Sequence, residues 1–296
     1  MSGLNNLLLH PKTRRQTDLF LQRPISPLLI LGERGSGKLE LAYSVTCAVL
    51  DLGSKERLLA HAYFFHAAKP EDKQDIPIDT VRQMMRFLRL KTPGSSTVRR
   101  VVLIEDAHFL SHPAQNALLK TLEEPNDDTL FVLTALNELS LLPTIVSRCQ
   151  RILTYPVALQ QADKFYGSQY GHKKVETAWN LSQGSTSLLN ALLHKEGSHS
   201  LKVAIEEAKS FLRLTPYERL LALEKTNKNK EELRLTLEAL SKILAALHRN
   251  AVSQTKTKQA RKLVNDRKLI LDSIDALDNN ANSRLLCLNL VLKLKS

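Results

Sequence analysis

Gly32, Gly37 and Lys38 stand at the spacing G-x-x-x-x-G-K within LGERGSGKLEL, Leu31 to Leu41, with Gly35 inside the same loop. A loop of this kind, leaving a strand and opening a helix, turns backbone N–H groups and the positive helix end toward phosphate oxygens. Lys38 would neutralise their charge. The next position, where a Ser or Thr hydroxyl would meet Mg²⁺, is Leu39. Mg²⁺ demands octahedral oxygen ligation and takes only one or two ligands from protein, so this loss removes a large share of its contact.

A second set of candidate residues follows VVLIE. A phosphoryl-transfer site of this type uses Asp for the metal and then, in many cases, Glu to polarise water. Here the order is reversed to Glu105 and Asp106, and each side-chain reach differs by one methylene. Misplacement of about 1 Å can cost 10²-fold, so the reversal bears on catalysis. The simpler alternative is two acids at a strand end with no metal role. His108 has no second ligand nearby in sequence and reads as a packing or hydrogen-bonding residue. Thr134 and Asn137, after a later apolar run, serve either as sensors of nucleotide or, more simply, as loop caps.

These residues need a scaffold, and the first half of the chain supplies one by alternating short apolar runs with helical periodicity, the pattern of an α/β layer fold. Strands are expected at 28–31 (LLIL), 61–66 (HAYFFH), 101–105 (VVLIE), 130–135 (LFVLTA) and 151–155 (RILTY). The crossovers are long enough for parallel pairing. A helix is expected over 79–88 with Asp79 as its cap, and another over 113–123, opened by Pro113 and stopped before Pro125. After Pro156 the pattern is helical only. Segments 158–194 are broken by Gly171 and Gly184, and from about Leu201 apolar residues recur every three or four positions.

The chain of 296 residues holds 43% hydrophobic and 24% charged residues, a globular balance. It has no apolar run long enough for a membrane span, and the N-terminal stretch lacks a cleavage pattern, so a cytoplasmic protein is expected. Cys47, Cys149 and Cys287 are far apart and read as small core residues rather than disulfide or metal ligands. The net charge is +12, and Lys225 to Lys268 holds twelve Lys or Arg against four acids. That stretch reads either as a nucleic-acid contact or as a solvated helical face, and it contains no aromatic residue to stack on bases. Trp179, alone on its helix, is expected in a core.

The run EDAHFLSHPAQNALLKTLEEPNDDTLFVLTALNELSLLPTIVSRCQRI, Glu105 to Ile152, closely resembles the bacterial clamp-loader subunits of DNA polymerase III, which are AAA+ proteins. AQNALLKTLEEP, LLPTIVSRCQ and IPIDTVRQMMRFL are its most specific pieces, and NNANSRLLCLNLVLKL resembles the last helix of the family's collar. The resemblance implies an AAA+ module over 1–156 with a parallel five-stranded sheet, a helical lid over 157–200 and a helical collar for oligomerisation over 201–296. Motor subunits of the family carry an intact phosphate loop, an Asp-Glu pair and a four-cysteine zinc module. This chain has none of the three and looks most like the delta-prime, stator-like member. The lid position where ATPase members place an Arg is Ser187.

In the family, a Ser-Arg-Cys element presents its Arg across the subunit interface to the γ-phosphate of ATP bound next door. Here it is Ser147, Arg148 and Cys149. An arginine finger supplied in trans stabilises charge on the phosphoryl oxygens. The bland alternative is a surface Arg capping a helix end. The resemblance implies a non-hydrolysing component of the polymerase III holoenzyme that needs no metal or cofactor, with ATP or ADP binding at Gly32, Gly35, Gly37, Lys38, Glu105 and Asp106 left open. The implied partners are homologous ATPase subunits and a delta subunit in a hetero-pentamer-like ring, a sliding clamp, and primed DNA through the complex, with no membrane. The alternative is an active ATPase of the gamma/tau kind. A third reading, a DNA-binding module outside any loader, rests on the basic stretch alone.

Overall fold

The computed structural model describes residues 4, 6–24, 27–70, 73, 75–124, 126–194, 199–226 and 229–294. They form two compact units, one of residues 1–158 with 185–187, the other of 159–184 with 188–296.

The first unit runs α1 (Pro11–Gln22), β1 (Leu28–Leu31), α2 (Lys38–Val49), α3 (Lys55–Leu59), β2 (Phe64–Ala67), α4 (Ile78–Phe87), β3 (Arg100–Ile104), α5 (His112–Glu123), β4 (Thr129–Ala135), α6 (Pro143–Val146) and β5 (Gln150–Leu153). The strands form one sheet in the order β2-β3-β4-β1-β5, all parallel. This is the expected α/β class, with the expected five-stranded parallel sheet. Both faces are covered, and so β1, β3 and β4 read as continuous apolar runs. Alternate residues divide between two cores: Leu29, Leu31, Val102, Ile104, Phe131 and Leu133 on one face, Leu28, Ile30, Val101, Leu103, Leu130 and Val132 on the other.

Some expected boundaries move. The second strand begins at Phe64 because residues 61–63 turn before it. The fourth helix starts at Ile78 behind Pro77, so Asp79 is not its cap. It lies in the first turn and accepts from Arg82 at 2.8 Å. Ser111 caps α5 by accepting from Ala114 N–H. Pro125, the expected stop, lies outside the described residues, as does Lys228 of the basic stretch.

The second unit is helical: α7 (Leu159–Tyr170), α8 (His172–Ser182), α9 (Thr186–Leu193, whose first two residues belong to the first unit), α10 (Ser200–Phe211), α11 (Pro216–Thr226), α12 (Lys230–Ser253), α13 (Thr257–Asp278) and α14 (Ser283–Lys293). Leu188 of α9 shares one core cluster with Ile205 of α10, Leu240 of α12, Ile270 of α13 and Leu290 of α14, so the helices before and after residue 200 pack as a single body and the expected boundary there does not separate two cores. Among the described residues no helix is long and apolar enough to cross a membrane.

Candidate functional site

β1 delivers the glycine loop at its C-terminal end, and Gly37, with φ +88°, opens α2 in the left-handed region that favours glycine. A Cβ on Gly37 would stand 2.6 Å from the Thr186 hydroxyl, and one on Gly32 would stand 1.7 Å from that of Thr154. Thr186 Oγ1 donates to Ser36 O at 2.8 Å, Ser187 N–H to Gly35 O at 3.0 Å, and Ser187 Oγ to Glu40 at 2.7 Å. Residues 185–187 of the same unit therefore lie directly on the loop.

The loop's cation is engaged. Lys38 is buried, and its Nζ stands 3.1 Å from Asp106 Oδ1. Asp106 adopts φ 46° and ψ 57°, an uncommon left-handed backbone for a residue other than glycine. Its N–H donates to Thr134 Oγ1 at 2.8 Å. The other member of the reversed pair, Glu105, meets His66 Nε2 at 2.9 Å. Tyr43 sets its ring edge against His66, and burial, with the charges of Glu105 and Glu40 added, pushes its phenol up to about 12. Leu39 packs against the core instead of offering an oxygen.

The resulting donor set suits a magnesium–nucleotide group poorly: one carboxylate is tied to a lysine, the other to a histidine, and a leucine stands at the hydroxyl position. Among the described residues no group of three His, Cys, Asp or Glu is arranged to hold a metal ion. Asn137 caps a short turn by accepting from Ser140 N–H at 3.0 Å, and Thr134 is fully buried. His108 packs on Phe109, with ring centroids 4.3 Å apart.

Arg148 occupies the other end of the sheet. Gln150 pairs with Leu28 at the start of β1, whereas Leu153 pairs with Leu31 where the glycine loop leaves. Arg148 precedes Gln150 by two residues, and the four residues of β1 alone span about 13 Å at ~3.3 Å each. Its Nη1 donates to Thr144 O at 2.8 Å and its Nη2 to Glu123 Oε1 at 2.5 Å, with the side chain still one-third exposed. Ser147 Oγ donates to Thr144 O at 3.1 Å. Cys149 is buried, and desolvation pushes its thiol up to about 12, so it is a core anchor and not a nucleophile. Gln115 of α5, also buried, donates to Leu110 O and accepts from Leu142 N–H, tying α5 to the entry of α6.

His66, Glu123 and Gln115 escaped the sequence reading. Glu123 and Gln115 lie inside the AQNALLKTLEEP segment without a pattern that names them. The signal for His66 was slight, a polar residue closing an apolar strand.

Residues 16–157 match the family model described as DNA polymerase III, delta subunit. The chain is 41% identical over 86 residues to DNA polymerase III subunit delta' of Haemophilus influenzae, covering 29% of this chain and 26% of that protein. It is 30% identical over 150 residues to subunit tau of Bacillus subtilis, covering 47% and 26%. The matched segments span about a quarter of the length of these relatives. The fold resembles that of a DNA polymerase III gamma subunit-related protein from Thermotoga maritima, with a TM-score of 0.52 and 22% identity over 95% of this chain and 97% of that one.

Proposed function

We propose that the chain, whose residues 16–157 match the family model described as DNA polymerase III, delta subunit, and which is 41% identical over 86 residues to a delta' subunit, is a non-hydrolysing, delta-prime-like subunit of a clamp loader that lends Arg148 to ATP bound by a neighbour. The observation that carries this reading is the register of β5 on β1, which puts Arg148 at the sheet end opposite its own glycine loop. An arginine side chain is too short to cross that span, so a phosphate partner for it belongs to another chain. The guanidinium's planar fork fits phosphoryl oxygens.

The chain's own loop supports the same reading. Lys38 is satisfied by Asp106, Glu105 by His66, and Ser187 stands where the family's ATPases carry an Arg. The implied partners are homologous ATPase subunits and a delta subunit, with a sliding clamp and primed DNA engaged by the whole assembly. The exposed stripe Leu285, Leu288 and Leu292 on α14 supports joining through the C-terminal helices, since leucines at that spacing line one face.

The test mixes the chain with its cognate ATPase subunits and clamp. Arg148→Ala is expected to depress DNA-stimulated hydrolysis while the complex still assembles; unchanged hydrolysis would overturn the assignment. The gamma/tau-like alternative, an ATPase in its own right, predicts that the isolated chain binds and turns over Mg-ATP and that Lys38→Ala abolishes both.

A further inference from the structure

The basic stretch is not absorbed by this function, and its cations divide into those the fold uses and those it does not. Arg234 pairs with Glu238 and Asp278, Lys230 donates to Asn280 Oδ1, and Arg267 donates to Ser241 Oγ from the packed side of α13. Arg249 donates to the side chain and the main-chain carbonyl of Asn180 and lies over the half-buried Trp179 ring, 5.8 Å from its centroid. Trp179 is thus not the core residue expected of it. Lys258, Arg261, Lys262 and Lys268 remain. All four are exposed, and among the described residues none has a side-chain hydrogen bond or a carboxylate within ion-pair distance.

At about 3.6 residues per turn these four and Asn265 fall within about a third of the circumference of α13. Ala260, Leu263 and Ile270 pack into the core from the opposite side. From Lys258 to Lys268 the helix advances about 15 Å. Asp266 is turned inward and the exposed Asp272 stands beyond the row, so no exposed acid lies within it. The exposed Val264 and Leu271 lie outside the arc. Helix stability does not account for this arrangement. Lys258 stands three and four residues from Arg261 and Lys262, spacings at which like charges repel, and the first turn of α13 has no acid to meet the positive helix end. A solvated helical face relieves such repulsion by alternating sign, and this one does not.

We propose that this face of α13 binds the phosphate backbone of double-stranded DNA, with phosphates on Lys258, Arg261, Lys262 and Lys268. Charge complementarity carries the assignment: unpaired cations in a row of about 15 Å meet a polymer with one phosphate per ~3.4 Å on each strand. The arc has no aromatic side chain on which an unpaired base would stack, and no exposed apolar anchor of the kind that centres a protein interface. Backbone contacts of this kind position DNA without reading its sequence. This inference stands apart from the arginine-finger reading.

The test uses the full chain alone, with a fluorescein-labelled DNA duplex of about 20 base pairs followed by anisotropy across a salt series. Binding should weaken linearly in log–log form. Lys258→Gln with Lys262→Gln, on exposed positions, should lower the slope by about 1.8, two phosphates at ~0.9 each, and weaken binding roughly tenfold. Lys164→Gln with Lys173→Gln, which removes two exposed cations of α7 and α8 outside the row, should leave the slope unchanged. The proposal is overturned if the wild-type chain does not bind at about 50 mM salt, if the α13 variant binds like wild type, if the two double variants weaken binding equally, or if a poly-glutamate peptide of equal charge competes as well as unlabelled duplex. Because no ATPase partner is present, failure here leaves the role of Arg148 untouched.

Discussion

Lys38 Nζ lies 3.1 Å from Asp106 Oδ1, so the lysine of the glycine loop is neutralised by a carboxylate of its own chain. An incoming triphosphate would have to break this pair, and the hydroxyl that would offset the loss through Mg²⁺ is replaced by Leu39.

Lys38→Ala is therefore expected to act on stability and not on hydrolysis. Removing one partner of a largely buried pair leaves the other unsatisfied, at a cost of about 1–3 kcal/mol. Urea denaturation should register that loss, while ATP hydrolysis by the reconstituted mixture stays within about twofold of wild type. A collapse of hydrolysis with normal assembly would show that this loop handles nucleotide after all.

Glu123 restrains Arg148 through an exposed contact. Glu123→Gln should change folding stability by less than about 1 kcal/mol, leaving hydrolysis by the mixture near wild type. Arg148→Ala should cut it by about 10³-fold or more, the usual effect of losing a finger supplied in trans. The contrast between the two variants, measured on complexes of equal composition, separates a transferable guanidinium from a structural ion pair.

Asp128 provides a pH signature. Burial works against its carboxylate, but hydrogen bonds from Thr92 and Thr129 and the charges of Arg100 and Arg99 outweigh it and hold the pKa below the ordinary value. A depressed folded-state pKa contributes stability above the unfolded value of about 4 and loses it as pH falls through the folded pKa. Asp128→Asn should therefore flatten the acid limb of the stability–pH curve below about pH 4. Arg100 is fully buried and donates to the carbonyls of Phe87, Leu88 and Leu90 at the end of α4. Arg100→Ala should cost about 3–5 kcal/mol in the same assay.

The thiols should be silent in the native chain. All three cysteines are buried, and desolvation pushes Cys149 up to about 12 and Cys287 up to about 11. A colorimetric thiol reagent at mildly alkaline pH should find neither until denaturant is added. Rapid native labelling of Cys149 would contradict its role as the anchor behind Arg148.

Much of this was legible from residue patterns. The apolar run LLIL and the G-x-x-x-x-G-K spacing identify a buried parallel strand feeding a phosphate loop, because both depend on neighbours along the chain. The AQNALLKTLEEP and LLPTIVSRCQ segments point to the relatives found for residues 16–157. Asp79 was misread because Pro77 already supplies an extended residue and starts the helix one position earlier, leaving the acid in the first turn. Trp179 was misread because its environment is made by α12, seventy residues away.

Local order along the chain thus determined the strands, the altered loop and the Ser147-Arg148-Cys149 element. Tertiary structure alone decided who neutralises whom. The pairing of Lys38 with Asp106, of Glu105 with His66 and of Arg148 with Glu123 joins residues that are 25 to 68 positions apart. Such contacts arise from parallel crossovers that bring distant strand ends and helices together, and no local periodicity encodes which of the many distant charges will meet.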